Sequence, residues 1–251
     1  MRLLRQLTRL YFYTRYGFHR ATGTGAFRDG RPKYLDGGVQ PQWNSLKQAL
    51  WNSYVKQFHE SSCSVAGVVS CINAVRSLAN DGAAPVSQSE ILDRVTTGHW
   101  KERMSEDGYR GRRGLPLPLL GEVVKESFEA YGIRFREVDV VRTPKNPSGR
   151  SSVKSTLKTR LRAFDRVGSG LIIAHFDQGS LVPALNIPHI SPVGAYDAVA
   201  DRVTVLDVDP DQPSPYEVDF DTFYRGLASD YHRVLAPFGY DGGGYVHVRL
   251  W

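Results

Sequence analysis

The sequence predicts an α+β fold. Apolar residues recur at helical spacing through much of residues 44–164, whereas the alternation typical of strands dominates from residue 170 to the C-terminus. Hydrophobic residues make up 41% of the 251 residues, which is enough to bury a core, and the 24 glycines and 14 prolines indicate many loops. A mainly helical half followed by consecutive strands favours segregated helices and a mostly antiparallel sheet.

Residues 1–43 are interpreted as a basic N-terminal extension and linker, ahead of one predicted domain over residues 44–251. Six arginines fall within residues 1–28, Asp29 is the first acidic residue, and no run is apolar enough for a signal sequence or a membrane span. A helix packed on its own domain with a solvated arginine face is the simplest interpretation. A membrane-surface helix, a contact for an acidic partner and a targeting peptide stay open. The glycine- and proline-rich residues 23–43 are expected to be a linker or an extended wrap.

The periodicity of each later segment predicts its secondary structure. Helices are predicted over residues 44–55, 63–79, 87–95, 119–132, 151–164 and 219–228. Ser87, three residues before Glu90, has the pattern of a capping box. Strands are predicted over residues 133–141, 170–176, 189–199, 202–208 and 244–250.

The sequence holds two cysteines, Cys63 and Cys71. Two thiols eight residues apart make neither a disulfide framework nor a zinc site, so a reducing compartment such as the cytoplasm is expected. Cys63 opens a predicted helix. Because a cysteine nucleophile acts as the thiolate, the dipole at a helix N-terminus favours that chemistry.

The other parts of a cysteine-based catalytic site also occur in the sequence. His189 begins a predicted strand and Asp207 ends the next one, so antiparallel pairing would bring both to one end of the sheet as a base and its orienting carboxylate. Gln57 precedes Cys63 closely enough to donate its side-chain amide to an oxyanion, beside the backbone N–H of Cys63. Cys63, His189, Asp207 and Gln57 are therefore candidate catalytic residues.

Each of these residues also has a simpler interpretation. By residue type alone, Cys63 fits a buried core thiol equally well. His189 fits a loop histidine satisfied by backbone groups, and Asp207 fits a turn carboxylate in "DVDPDQP". His59 lies too near the cysteine in sequence to serve as its base, and Cys71 is expected to be a core residue two helical turns further on.

Two segments carry a resemblance to a known family. "PHISPVGAYDAVADRVTVLDV" (188–208) resembles the phytochelatin synthase pattern of G-H-[FI]-S-P-[IL]-x-x-Y, a charged turn and an apolar strand that ends in D-V. "QFHESSCSVAGVVSCINA" (57–74) matches the glutamine, five residues, cysteine and small or apolar helix of that family, and residues 114–135 and 244–250 resemble it more loosely. The resemblance covers about residues 44–251. It implies a papain-like fold with Cys63, His189, Asp207 and Gln57 in the catalytic roles.

The resemblance also implies an activity. Cys63 would form a γ-glutamylcysteinyl acyl-enzyme from glutathione and release glycine, and water or a second thiol peptide would then take the acyl group. Three departures from the family pattern weaken transfer relative to hydrolysis. Ser64 stands where the family has glycine, the Glu-Pro pair before the cysteine is missing, and Pro210 occupies the position of an arginine linked to acceptor use.

The leading hypothesis is therefore an enzyme that hydrolyses glutathione to γ-glutamylcysteine with little phytochelatin synthesis. One alternative is an amide-forming acyltransferase of natural-product biosynthesis, loaded from an acidic carrier-protein thioester that the arginines of residues 1–28 would attract. Another is a non-catalytic binding module that uses the basic N-terminus. The expected partner is a small thiol peptide such as glutathione, and a homodimer is compatible with the resemblance. No cofactor, metal or nucleic acid is implied.

Overall fold

The computed structural model describes residues 2–27, 32–38, 40, 42–79, 82, 84–144, 146–229 and 231–251. Its strands are β1 (Lys33–Tyr34), β2 (Phe135–Arg142), β3 (Gly170–Asp177), β4 (Pro188–Asp197), β5 (Arg202–Val205), β6 (Tyr216–Asp219) and β7 (Gly244–Leu250). Within the described residues they form one antiparallel sheet in the order β1-β6-β5-β4-β3-β7-β2. The predicted α+β class is confirmed.

Helices surround this sheet. They are α1 (Arg2–Thr22), α2 (Ser45–Ser53), α3 (Cys63–Ala79), α4 (Gln88–Arg94), α5 (Trp100–Arg103), α6 (Leu117–Ala130), α7 (Pro147–Val167), α8 (Phe220–Leu227) and α9 (His232–Leu235). Every residue from Cys63 to Ile72 is buried, because the first half of α3 lies between α2 and β4. A helix enclosed on all sides needs small and apolar residues around its whole circumference, which explains the composition of "CSVAGVVSCI".

The β4–β5 hairpin fixes the relative position of the predicted base and its carboxylate. Val193 pairs with Val205 and Asp197 with Arg202, and the register shifts between the Val193 and Ala195 positions of β4. Strand β5 ends at Val205, earlier than the predicted 208, because the chain leaves the regular ladder after this bulge. Asp207 therefore follows the strand, at the end of the sheet where β4 begins.

Helix α7 is longer than the predicted helix over residues 151–164. The helix begins at Pro147, not at residue 151, because Asn146 caps it by accepting a hydrogen bond from the Gly149 amide (2.9 Å). It ends at Gly168, whose φ of +66° is the left-handed conformation that glycine adopts without strain. An Asn-Pro pair is a helix-start signal, and the sequence contains it at this boundary.

The N-terminal extension contacts the rest of the protein at two places. Helix α1 packs through Phe12 against Tyr231, Leu235 and Phe238, and β1 pairs with β6 at the edge of the sheet. The predicted interpretation as a helix packed on its own domain is confirmed for α1, and part of the expected wrap is an edge strand. None of the described helices has the length and the apolar character needed to cross a membrane.

Candidate active site

Cys63 is the first residue of α3, as the sequence predicts. The turn before it is closed by Ser62, whose hydroxyl accepts from the His59 amide (2.9 Å) and donates to the His59 carbonyl (2.8 Å). The Ser62 carbonyl then accepts from the amides of Val65 and Ala66, which begins the helix. The thiol therefore lies at the positive end of a helix dipole. Cys63 is 8% exposed, so a narrow approach from solvent remains.

His189, the second residue of β4, joins Cys63 to Asp207. Its Nε2–H donates to Asp207 Oδ1 over 2.7 Å, and the ring also forms a hydrogen bond with the Cys63 thiol. Since Asp207 occupies Nε2, Nδ1 is the ring nitrogen left for the thiol. Burial lowers the pKa of His189, but the charge and the hydrogen bond of Asp207 and the bond to Cys63 outweigh it and raise the pKa to about 10. The imidazole therefore holds a proton at neutral pH.

Asp207 is fully buried and is held by several donors. Tyr216 donates its O–H to Oδ2 (2.7 Å), and the Asp209 amide donates to Oδ1 (3.0 Å). The Tyr54 hydroxyl donates to the backbone carbonyl of Asp207. Burial raises the pKa of Asp207, but the neighbouring imidazolium and these donors to its carboxylate outweigh it, and the pKa is lowered. The carboxylate is thus ionised and fixed in orientation.

Lys56 holds the segment that follows Asp207. Its Nζ donates to three backbone carbonyls, those of Asp207 (2.8 Å), Asp209 (3.0 Å) and Gln212 (3.0 Å). An ammonium group has three donors, so this arrangement uses all of them. The loop that carries the carboxylate is therefore tied to the segment that leads to Cys63.

Gln57 lies in that same leading segment. Its backbone amide donates to the Val208 carbonyl over 2.8 Å, which places Gln57 beside the residue that follows Asp207. Its side chain is half-buried, and Oε1 is buried without a hydrogen-bond partner among the described residues. The unpaired atom is the acceptor of this amide, whereas the predicted oxyanion role would use the Nε2–H donors.

A second buried histidine, His175, lies on β3 beside the triad of Cys63, His189 and Asp207, and pairs with Ile190 of β4. His175 Nδ1 accepts from the Tyr231 hydroxyl (3.0 Å), and Nε2–H donates to the Leu115 carbonyl (3.0 Å). Burial lowers its pKa to about 4, so His175 is neutral. Tyr231 and Tyr240 flank its ring, and burial together with the nearby Cys63 raises the pKa of both phenols. The two phenols are therefore uncharged at neutral pH.

A cavity of about 280 Å³ is lined in part by residues close in sequence to Cys63 and His189, and Cys63, His189 and Asp207 themselves are not in its lining. Its lining reaches within three residues of Cys63 and two of His189, and it combines apolar side chains with two arginines: Thr8, Arg9, Phe12, Glu60, Ser61, Gly111, Arg113, Ile187, Leu235, Phe238 and Tyr240. Arg113 Nε is buried without a partner in the described part of the chain. The cavity is a candidate for the donor-binding site.

Cys71 and His59, the alternatives to Cys63 and His189 in the sequence, lie in structural positions. Cys71 is fully buried on α3, and burial raises the pKa of its thiol, which opposes thiolate chemistry. His59 accepts from the Ser61 amide (3.3 Å) inside the turn before Cys63. Ser64, the departure beside Cys63, accepts from Trp100 Nε1 (3.0 Å), and both side chains are fully buried. That substitution is accommodated by a satisfied hydrogen bond in the core.

The residues that support Asp207 were not predicted from the sequence. Tyr54 lies at the C-terminal end of α2, Lys56 lies in the loop after it, and Tyr216 belongs to a strand that was not predicted. Hydrophobic periodicity gives no sign that a tyrosine hydroxyl or a lysine ammonium will donate to the loop that carries Asp207. Arg9 and Phe12, which line the cavity, come from an extension outside the family resemblance.

Neither a family model nor a curated protein matches this chain. Within the described residues, no group of three or more histidine, cysteine, aspartate or glutamate side chains is arranged to hold a metal ion.

Proposed function

We propose that this protein is a papain-like, cysteine-dependent acyl-transfer enzyme that cleaves the Cys–Gly amide of glutathione through a Cys63 acyl-enzyme. The observation that carries the proposal is the line of contacts from Cys63 through His189 to Asp207, in which the imidazole is protonated and the carboxylate is ionised. A thiolate beside an imidazolium at a helix N-terminus is a strong nucleophile with an adjacent proton donor.

The first half-reaction uses both groups. Cys63 Sγ attacks the carbonyl carbon of the amide, and the resulting oxyanion accepts hydrogen bonds from the Cys63 backbone N–H and the Gln57 side-chain amide. As the C–N bond breaks, His189 gives its Nδ1 proton to the departing nitrogen of glycine. The products are free glycine and a thioester between Cys63 and the γ-glutamylcysteinyl group.

The second half-reaction regenerates the enzyme. Neutral His189 accepts a proton from a water molecule as the oxygen of that water attacks the thioester carbonyl, and the C–S bond breaks to restore the Cys63 thiolate. γ-Glutamylcysteine leaves as the acid. The amino group of a second thiol peptide would give phytochelatin instead of the hydrolysis product, and the Pro210 departure favours hydrolysis.

Intact-protein mass spectrometry after incubation with glutathione tests this proposal, with free glycine assayed in parallel. We expect a γ-glutamylcysteinyl adduct that maps to Cys63 and glycine release, both absent from Cys63→Ala. Cys71→Ala is the matched control, because Cys71 is buried eight residues further along the same helix, and this variant should keep both signals. Loss of activity in a folded Cys71→Ala protein, with activity retained in Cys63→Ala, would overturn the assignment of the nucleophile.

A second candidate is an amide-forming acyltransferase that loads Cys63 from a carrier-protein thioester. The observation that favours it is the wall of the cavity, where Phe12, Ile187 and Phe238 suit an aliphatic acyl chain better than a charged tripeptide. Incubation with an octanoyl thioester of N-acetylcysteamine separates the two candidates. An octanoyl adduct on Cys63, with no adduct from glutathione, would favour the acyltransferase.

A further inference from the structure

Helix α1 exposes a row of large apolar side chains that the proposed chemistry does not use. Leu7, Leu10, Tyr13 and Phe18 are between 53% and 64% exposed. At about 100° per residue they fall within an arc of about 140° on one side of the helix, opposite the buried Phe12. We call these four residues the outer face of α1. The other exposed large apolar residues of the described chain are well separated from one another in sequence.

Positive charge borders the outer face. Arg9 and Arg20 are exposed and, being eleven residues apart, they project in nearly the same direction on the helix, next to Tyr13. Arg9 lies 3.8 Å from Glu60, an exposed pair that is worth little. The sequence contains no acidic residue before Asp29. The helix therefore presents an apolar strip along a basic edge, without acidic side chains of its own.

The inner face of α1 holds the helix in place. Phe12 packs against Tyr231, Leu235 and Phe238, and Thr8 is buried beside it. His19 Nδ1 pairs with the hydroxyl of Thr24, just after the end of the helix, over 2.7 Å. The outer face is thus turned away from the domain, and no described residue covers it.

We propose that α1 lies on an anionic membrane, with its outer face in the headgroup region and its arginines on the lipid phosphates. An interfacial helix needs a polar, basic border and an apolar face, and α1 has both. An acidic protein partner would have to place apolar side chains opposite Leu7, Leu10 and Phe18 as well as acids opposite the arginines, whereas an anionic bilayer supplies both surfaces by its composition. Thr8 and Phe12 of the inner face also line the cavity near Cys63 and His189, so docking through the outer face would leave that cavity on the side of α1 that faces away from the lipid.

Co-sedimentation of the full chain with vesicles tests this proposal. Phosphatidylcholine vesicles with and without phosphatidylglycerol are compared at low and high salt. We expect binding to the anionic vesicles alone, weakened by salt because the attraction between charges is screened. Leu10→Glu and Phe18→Glu should each lower the partition coefficient about tenfold or more, and Arg20→Gln about fivefold.

Val167→Glu and Val199→Glu are matched controls, because both valines are more exposed than the outer-face residues and neither lies on α1. They should bind vesicles like the unmodified chain. Protection of the buried Cys71 from alkylation in every variant checks that the fold is intact.

Three results would overturn the proposal. The first is an unmodified chain that does not bind anionic vesicles at low salt. The second is binding that falls with Arg20→Gln but not with Leu10→Glu or Phe18→Glu, which would indicate an acidic protein partner. The third is self-association that Leu10→Glu abolishes while vesicle binding persists, which would assign the outer face to a second copy of this chain. None of these outcomes depends on which acyl donor Cys63 uses.

Discussion

Tyr216 donates its hydroxyl to Asp207 Oδ2 over 2.7 Å, and the other carboxylate oxygen of Asp207 holds His189 at the same distance. The phenol belongs to β6, and the carboxylate follows β5, the neighbouring strand. This hydrogen bond, made to a carboxylate that follows the neighbouring strand, helps to fix the orientation of the group that holds His189.

Tyr216→Phe should lower activity about tenfold and stability by about 2 kcal/mol, because a buried carboxylate oxygen loses a hydrogen bond to a charged group. The pKa of Asp207 should rise, so the acid side of the pH–rate profile should move to higher pH. Glycine release across pH and urea unfolding measure the two effects.

Tyr224→Phe is the control for Tyr216→Phe. It removes the same hydroxyl from a residue whose partner is the Arg150 carbonyl (2.9 Å), away from the triad. A pH–rate profile of Tyr216→Phe that coincides with that of Tyr224→Phe would show that the Tyr216 bond does not act through Asp207.

The protonated state of His189 predicts how stability depends on pH. Its folded pKa of about 10 lies above the usual value of about 6.5, so its contribution is complete below about pH 6.5 and is lost as the pH rises through about 10. A Cys63→Ala background removes the thiol and its share of this upward shift, so the free energy of unfolding should fall by up to about 1.4 kcal/mol per pH unit above about pH 6.5, over a window that ends below pH 10. Urea unfolding at several pH values measures the slope.

Cys63→Ala/His189→Gln is the reference for that slope. Other groups titrate equally in both proteins, so the difference isolates the histidine. Parallel curves for the single and double variants would mean that His189 is not held in its charged form.

Lys56→Met should destabilise the loop after Asp207, because three carbonyls lose their common ammonium donor. We expect a loss of about 2–3 kcal/mol in the free energy of unfolding and a lower turnover number. Lys101→Met is the control, since Lys101 is an exposed lysine paired with Asp93, and it should leave activity unchanged. Unchanged activity in Lys56→Met would show that the hydrogen bonds from Lys56 to this loop do not affect the proposed catalytic arrangement.

Gln57→Leu should lower the turnover number about 100-fold with a smaller effect on KM, because an oxyanion donor acts mainly in the transition state. Gln48→Leu removes an amide of similar burial on α2, where Gln48 Nε2 donates to the Trp43 carbonyl (2.7 Å), and should leave turnover near its original value. Equal effects of the two changes would remove Gln57 from the mechanism.

Local patterns predicted much of the fold, and the family resemblance selected Cys63, His189 and Asp207. The helix start at Cys63 and the β4–β5 pair depend on apolar periodicity within short segments, and the structure confirms both. The contacts that orient the triad depend on residues distant in sequence, such as Tyr54 and Tyr216, whose side chains meet Asp207 only after the sheet has formed. Sequence pattern carries no signal for such contacts.

The edges of the fold were harder to predict for a different reason. Strand β1 has two residues and forms only by pairing with β6, so it lacks a hydrophobic repeat of its own. Helix α1 shows apolar residues on both its inner and outer faces, so its sequence alone did not distinguish the face that packs on the domain from the face that Leu7, Leu10 and Phe18 expose.

The central claim is tested most directly by the rate at which iodoacetamide alkylates Cys63 at about neutral pH, compared between the unmodified chain and His189→Gln. The thiolate is the species that reacts, so the acyl donor need not be known. We predict fast modification of Cys63, no modification of buried Cys71 in the folded protein, and a rate at least about 100-fold lower in His189→Gln. Equal rates in the two proteins, with both folded, would contradict a Cys63 thiolate maintained by His189.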